Sequence, residues 1–447
     1  MRGIERLSPP PQNMSLLTLR EHESFRIGAR FCAADQSVTA AHADALERLS
    51  ERLRSGGMKG GLIRHVNRTT LKARQYVGVV QLGTEAIEII PKIDGLDERG
   101  TRVNLFRMLA RARQLDLHEA EAARLAEQHL DILEIYIRLF CDKLFAELHR
   151  GLVSRYERQT DDLPALRGKL LTGLQATLNA FHPERFRCEY DEFSVDTPLN
   201  RVLKAAVRRL RRVSRDGDNA RRLAELDFAL EGASAVEASA LEWHKLHFDR
   251  ANRRYAALAE MARRILENRT QDVTAGAEAG FALLFDMNEL FEAYIGAVAQ
   301  ACLTPPWRVQ LQGPTAYLLE DETGQGQFQI RPDITGLEGT QPRWIIDTKW
   351  KRLDAADARL GVAQADVYQM LGYARRLGVE RVILLYPRQQ GGPEAARRYR
   401  IQGDAAAREL WIASVDLRDL DRVPEQLKRL PPSWSTHRLE RALQAGR

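Results

Sequence analysis

Residues 328–353 read FQIRPDITGLEGTQPRWIIDTKWKRL, and no other stretch of the chain restricts its fold as strongly. One apolar run leads into Arg331-Pro332-Asp333-Ile334. A second, Trp344-Ile345-Ile346, leads into Asp347-Thr348-Lys349-Trp350. The GLEGTQP between them carries the Gly and Pro expected of a connecting turn. Two adjacent antiparallel strands joined there bring Asp333 and Asp347 side by side. Asp347 and Lys349 are two residues apart, so on a strand both project to one face. The pattern therefore delivers two carboxylates and one ammonium to a single patch.

Such a patch has a cost that suggests its use. Two carboxylates about 4 Å apart repel by roughly 4 kcal/mol at an effective dielectric near 20. A neighbouring Lys offsets part of this. A divalent cation offsets more, and hard oxygen ligands suit Mg²⁺, or Mn²⁺ in its place. A site of this kind can polarise a phosphodiester and lower the pKa of a bound water. Lys349 could orient or deprotonate that water, or stabilise charge in the transition state. The plain alternative is a surface Asp–Lys pair with an unrelated Asp upstream. Its surroundings weigh against that. A helix bearing Glu289 and Glu292 precedes the segment, and Gln369 and Tyr373 follow it four apart, on one helical face. Either Glu can be the third acid. The histidines form no ligand set, and HKLH at 244–247 is read as structural.

Length and composition frame the rest. The 447 residues suggest about three domains. With 44% hydrophobic and 29% charged residues, the chain is neither disordered nor fibrous. The net charge of +6 permits a polyanionic partner without demanding one, and the basic side chains are 57 Arg against ten Lys. Arg is the side chain that best grips phosphate. The four Cys lie far apart without zinc spacing, which fits a reducing cytoplasm. The start, MRGIERLSPPPQNM, lacks the apolar core of a signal peptide, and no membrane span is expected. There is no GxxxxGK[ST] or GxGxxG.

The expected class is a mixed α/β, multi-domain chain. Residues 1–100 read as strand-rich, with a helix at 40–55, a hairpin turning near Gly83 and a basic stretch over 52–74. Residues 101–275 read as mainly helical, with a helix over 118–150 and an interruption at 160–200. Asp196-Thr197-Pro198 then starts a basic helix. Arg201, Lys204 and Arg208 on it, with Lys351 beyond the Asp347–Lys349 pair, are candidate DNA contacts, though a solvated face explains them as well. Residues 276–447 read as a helix at 280–302, strands near 307–319, 327–335 and 343–350, a helix at 362–377, and the strands RVILLYP and ELWIASVDL. This is an α/β domain on a mixed sheet.

Asp333, Asp347 and Lys349 resemble the PD-(D/E)xK nuclease superfamily, and Gln369-Met-Leu-Gly-Tyr373 resembles the QxxxY element of its RecB-like branch. In that branch the Gln and Tyr help order the site and the DNA. FDMNELFEAYIGAV, RPDI, IIDTKWKRL, QADVYQMLGYA and ILLYP, with the upstream IEIIPKI, RGKL and DEFSVDTPLNRVLKAA, further resemble the McrC family. That resemblance implies a restriction-endonuclease-like C-terminal domain in which Asp333, Asp347 and Glu292 hold the metal. It also implies cleavage of double-stranded DNA together with a McrB-like hexameric AAA+ GTPase, which recognises modified DNA and is stimulated by this chain. The N-terminal region would dock on the GTPase, with 52–74 a candidate for the stimulating residue. Two other roles stay open: a non-catalytic DNA-clamping adaptor of an AAA+ NTPase, and a stand-alone RecB-like repair exonuclease.

Overall fold

The computed structural model describes residues 15–55, 60–112, 130–182, 184–250, 252–267, 281–305, 307–390, 392, 396–402 and 408–430. They divide into two compact units. The middle unit runs from Ile132 to residue 267 and takes in residues 281–283. The composite unit joins the residues from Ser15 to Asp131 with those from Leu284 onward. The mixed α/β class expected from the sequence is the one found.

The composite unit begins with β1 (Ser15–Arg20), which lies parallel to β7 (Glu85–Ile90). The hairpin at Gly83 is present. β6 (Tyr76–Leu82) pairs antiparallel with β7, and Gly83 takes φ 63°, a conformation that Gly adopts without penalty. A second sheet, in the order β3-β2-β5-β4, uses β2 (Ser24–Ile27), β3 (Ser37–Val38), β4 (Ile63–Asn67) and β5 (Thr70–Ala73). Helix α1 (Ala40–Ser55) buries Ala45, Leu46 and Leu49 of the stripe its spacing predicts, with Leu53 of the same stripe half-buried, and α2 (Glu98–Ala112) follows β7.

In the middle unit, α3 (Ile132–Leu148) is the described part of the helix expected over 118–150; residues 118–129 of that expectation lie outside the described residues. Where the sequence shows an interruption at 160–200, the structure has a sheet in the order β8-β10-β9, formed by β8 (Arg155–Leu163), β9 (Lys169–Leu170) and β10 (Phe186–Ser194), with α4 (Thr172–Leu178) attached. The basic helix is α5 (Pro198–Val213), and the Thr197 hydroxyl caps it by accepting from the Asn200 N–H at 3.3 Å. Helices α6 (Gly217–Ala229) and α7 (Ala256–Glu267) complete the unit.

The helix expected at 280–302 needs a correction. Its first residues form a strand, β11 (Phe281–Asp286), and α8 (Met287–Cys302) starts after it, capped by the Asp286 carboxylate on the Asn288 N–H at 2.8 Å. β11, whose residues 284–286 belong to the composite unit, closes the sheet β1-β7-β6-β11. An apolar run buried on both sides has no period-two signature, so FALLF reads equally well as helix.

The principal sheet runs β12-β15-β16-β17-β19-β18, from β12 (Trp307–Leu311), β15 (Ile334–Glu338), β16 (Gln341–Thr348), β17 (Arg381–Pro387), β18 (Arg397–Arg400) and β19 (Glu409–Val415). β13 (Ala316–Glu320) and β14 (Gly326–Ile330) form a separate hairpin. β16 and β17 are parallel and so need a crossover, which α9 (Gln364–Leu377) supplies. α9 packs with Ile345, Val382 and Leu384 of the sheet, while α8 packs on β12 and β16. Burial from both sides explains why WII and RVILLYP read as continuous apolar runs. Gly336 sits opposite Trp344, and a Cβ there would lie 1.9 Å from the indole. The missing side chain is what lets Trp344 lie across β15 and fix the strand that ends in Asp347. A short α10 (Val423–Lys428) packs on α8.

Candidate active site

The site is built on β16. Ile334 pairs with Ile346, and this register sets Asp333 opposite Asp347 as the sequence pattern requires. Asp347 is 1% exposed although it is a carboxylate. The Lys349 ammonium, two residues on and on the same face, stands 2.6 Å from Asp347 Oδ2. Oδ2 is buried, and this ion contact with Lys349 is its partner. Lys349 Nζ also donates to Gln369 Oε1 at 3.3 Å, and Gln369 Nε2 donates to the Tyr373 hydroxyl at 2.8 Å. Gln369 and Tyr373, one turn apart on α9, thus continue a chain of contacts that begins at Asp347.

Asp333 is held differently. The Thr348 N–H and hydroxyl donate to its Oδ2 at 2.8 and 2.9 Å. Thr348 was not among the residues singled out from the sequence. Strand alternation turns Thr348 away from the Asp347–Lys349 face and gave no signal for it; Asp333 lies in the bend just before β15, outside the strand register. On α8, Glu289 is exposed whereas Glu292 is half-buried and feels the charges of Asp333 and Asp347. The geometry therefore groups Glu292, not Glu289, with the other two acids.

The electrostatics are those of crowded, desolvated carboxylates. Burial, then repulsion from Asp333, raises Asp347 to about 6 despite the opposing pull of Lys349. Burial also raises Asp333, against the hydrogen bonds from Thr348. Burial, then Asp333 and Asp347, raises Glu292 to about 7. Burial by itself would lower the Lys349 ammonium, but the facing Asp347 outweighs it and the net shift is upward. Tyr386, at the end of β17, adds a buried hydroxyl without a partner, and burial together with Asp366 and Asp347 raises its pKa.

These features suit a divalent cation: hard oxygen donors on three carboxylates, and mutual repulsion between desolvated charges. Among the described residues, no three His, Cys, Asp or Glu side chains are already drawn in to ligand distance of a common point.

The other candidate residues lie differently. Lys351, two residues past Lys349, is exposed and pairs with Asp366 of α9 at 2.9 Å. In the middle unit, Arg201 forks onto Asp196 at 2.8 and 2.9 Å, and Arg208 binds Asp227 at 3.0 Å. Lys204 does not face solvent. It is 5% exposed, and its ammonium donates to the Glu231 and Ala233 carbonyls at 3.2 and 2.6 Å, so it closes a turn instead of meeting a phosphate. In the stretch 52–74, His65 pairs with Glu47 and Arg74 binds the Gly60 carbonyl, while 56–59 lie outside the described residues.

Comparison with known proteins gives a consistent result. A family model described as McrBC 5-methylcytosine restriction system component matches residues 71–387, well over half of the chain. A solved chain from a refined half-complex of the tetradecameric assembly of Thermococcus gammatolerans McrB AAA+ hexamers with bound McrC superposes with a TM-score of 0.70 at 22% identity, over 93% of this chain and 99% of that one. A chain from the cryo-EM structure of the Thermococcus gammatolerans McrBC complex matches with a TM-score of 0.52 at 27% identity, over 65% of this chain and 88% of that one. No curated protein matches the sequence.

Proposed function

The chain belongs to the McrBC restriction-system family, as a McrC member, and on that premise we propose that it is a Mg²⁺- or Mn²⁺-dependent DNA endonuclease of the PD-(D/E)xK type. Its substrate is double-stranded DNA, and it works with, and stimulates, a hexameric AAA+ GTPase that recognises modified DNA. In this reading residues 276–447 carry the nuclease and residues 1–100 dock on the GTPase. The Thermococcus McrC bound to McrB AAA+ hexamers is the precedent for such a partner. The observation that carries the reading is the buried Asp347, set opposite Asp333, facing Glu292 and contacted by Lys349.

Asp333, Asp347 and Glu292 would hold the ion. When bound, it supplies positive charge to the phosphodiester oxygens and lowers the pKa of a water. Thr348 keeps Asp333 from turning away, because one carboxylate oxygen is pinned by two donors while the other is left for a ligand. Lys349 stays protonated at neutral pH because Asp347 stabilises the ammonium. In that form it can act as a donor that orients the nucleophile or neutralises charge growing on the phosphate. Gln369 holds the ammonium, and Tyr373 holds Gln369.

The test combines this chain, its GTPase partner, GTP, Mg²⁺ and modified DNA. The wild type should cut. Asp347→Ala and Lys349→Ala should not cut, yet should still stimulate GTP hydrolysis. Stimulation without cutting by the wild type would leave the adaptor role. Robust digestion of linear DNA with Mg²⁺ and no partner would leave the stand-alone exonuclease.

A further inference from the structure

Glu21 closes β1 and is 1% exposed. Its backbone is fixed by its N–H on the Ile90 carbonyl at 2.9 Å. Among the described residues it forms no ion pair with Lys or Arg; His22 stands 3.7 Å away. Burying a carboxylate without a cation is costly unless its oxygens are hydrogen-bonded. Here the bonds come from one indole and one backbone amide. The Trp350 indole N–H reaches both oxygens, at 2.7 and 2.9 Å, and the Lys92 N–H reaches Oε2 at 3.2 Å.

Trp350 directly follows Lys349. The Lys349 N–H makes a strand-like bond to the Leu385 carbonyl at 2.9 Å, and the chain then turns, with the Lys351 N–H on the Lys349 carbonyl at 2.9 Å. The backbone past Lys349 therefore leaves the sheet, and the buried indole is what anchors it. The same indole packs edge-on against Phe291, with ring centroids 5.3 Å apart at 60°. Phe291 is fully buried and directly precedes Glu292. One ring thus touches the neighbours of two site residues that come from different elements.

We infer that Glu21 is a positioning residue for the proposed site: by gripping the Trp350 indole it sets where Lys349 and Glu292 stand relative to Asp347. This rests on the nuclease reading given above. A carboxylate makes a stronger bond to an N–H than a neutral acceptor does. Gln at this position would still offer an oxygen to the indole.

The experiment measures Mn²⁺ affinity of the full chain by calorimetry, its melting temperature, and kcat and KM for DNA cleavage with the GTPase partner. Glu21→Leu should weaken Mn²⁺ binding and lower kcat by about tenfold each, with KM for DNA little changed, the size usual when a group supporting metal ligands is lost. Glu21→Gln should stay within about threefold of the wild type, because the acceptor remains. Glu21→Leu combined with Trp350→Phe removes donor and acceptor together and should recover melting temperature without recovering Mn²⁺ affinity or kcat. Recovery of all three would make the pair merely structural and overturn the inference. So would wild-type Mn²⁺ affinity in a folded Glu21→Leu. If the wild type binds Mn²⁺ but never cuts, the nuclease reading fails while the Mn²⁺ comparison still decides the role of Glu21. If the wild type binds no Mn²⁺, both fall.

Discussion

The site on β16 and the basic helix α5 are both dense in charge, and they handle it in opposite ways. On α5, Arg201 meets Asp196 in a two-bond fork, Arg208 meets Asp227, and Lys204 spends its ammonium on two carbonyls. Each of these charges has a local answer, and the helix is stable as it stands. Around β16, Asp347 meets the Lys349 ammonium, yet Asp333 and Glu292 add their charges beside it, and burial raises all three acids. Charge that is locally satisfied supports the fold. Charge that is buried and left over waits for a ligand.

The largest effect that would break this contrast concerns Asp347. Asp347→Asn keeps the shape and removes the charge. Cleavage should drop by about a hundredfold to a thousandfold, in the range seen when a transition-state electrostatic group is lost. In metal-free buffer, however, the melting temperature should rise, because the folded state no longer holds an ion that Asp333 repels. A melting temperature that falls, with cleavage retained, would mean that Asp347 is an ordinary structural ion.

A smaller effect of opposite kind is expected on α5. Lys204→Ala leaves the Glu231 and Ala233 carbonyls without their donor, and should cost about 1–3 kcal/mol of stability. DNA affinity and kcat should be unchanged. Denaturant unfolding and a DNA titration check the two halves. A large loss of DNA affinity without loss of stability would return Lys204 to a phosphate-binding role.

The sequence was most legible where geometry is forced by spacing. A strand alternates, so Asp347 and Lys349 had to share a face; a helix repeats, so Gln369 and Tyr373 had to share another. Thr197 before Pro198 announced a cap, and the cap is there. Lys204 was misjudged by counting charge without placing it. It lies four residues from Asn200 and three from Val207, both buried, so the helical period already set it at the apolar face. β8 and β10 were hard for a different reason. In β10 only Cys188 and Tyr190 are buried, which leaves too little alternation to read. The bond from Glu21 to Trp350 spans 329 positions, and nothing local in either segment marks it.

The smallest expected effect is also the one that separates the two regions by sign. Carboxyls in an unfolded chain titrate near 4. In the folded protein Asp347 is raised to about 6, and Glu292 and Glu21 to about 7, each chiefly by burial. Between about pH 4 and 7 the folded state therefore keeps protons that the unfolded state has released, and these groups make stability fall as pH rises. Asp196 works the other way: its hydrogen bonds from Arg201, and then those from Ser234, hold it well below the usual range. Its contribution is present at neutral pH and is lost only as pH falls past the unfolded value. On the proposed function Mg²⁺ would bind the ionised acids of the site, so melting curves with Mg²⁺ should lose part of the decline between pH 5 and 7, and Asp347→Asn should flatten the metal-free curve in the same window. Glu21 keeps its own share of the decline in both conditions, since its oxygens are taken by Trp350 and Lys92. The difference between the curves with and without Mg²⁺ thus isolates the candidate site. Two superimposable curves would mean that the three carboxylates do not share an ion, and the contrast with α5 would lose its functional meaning.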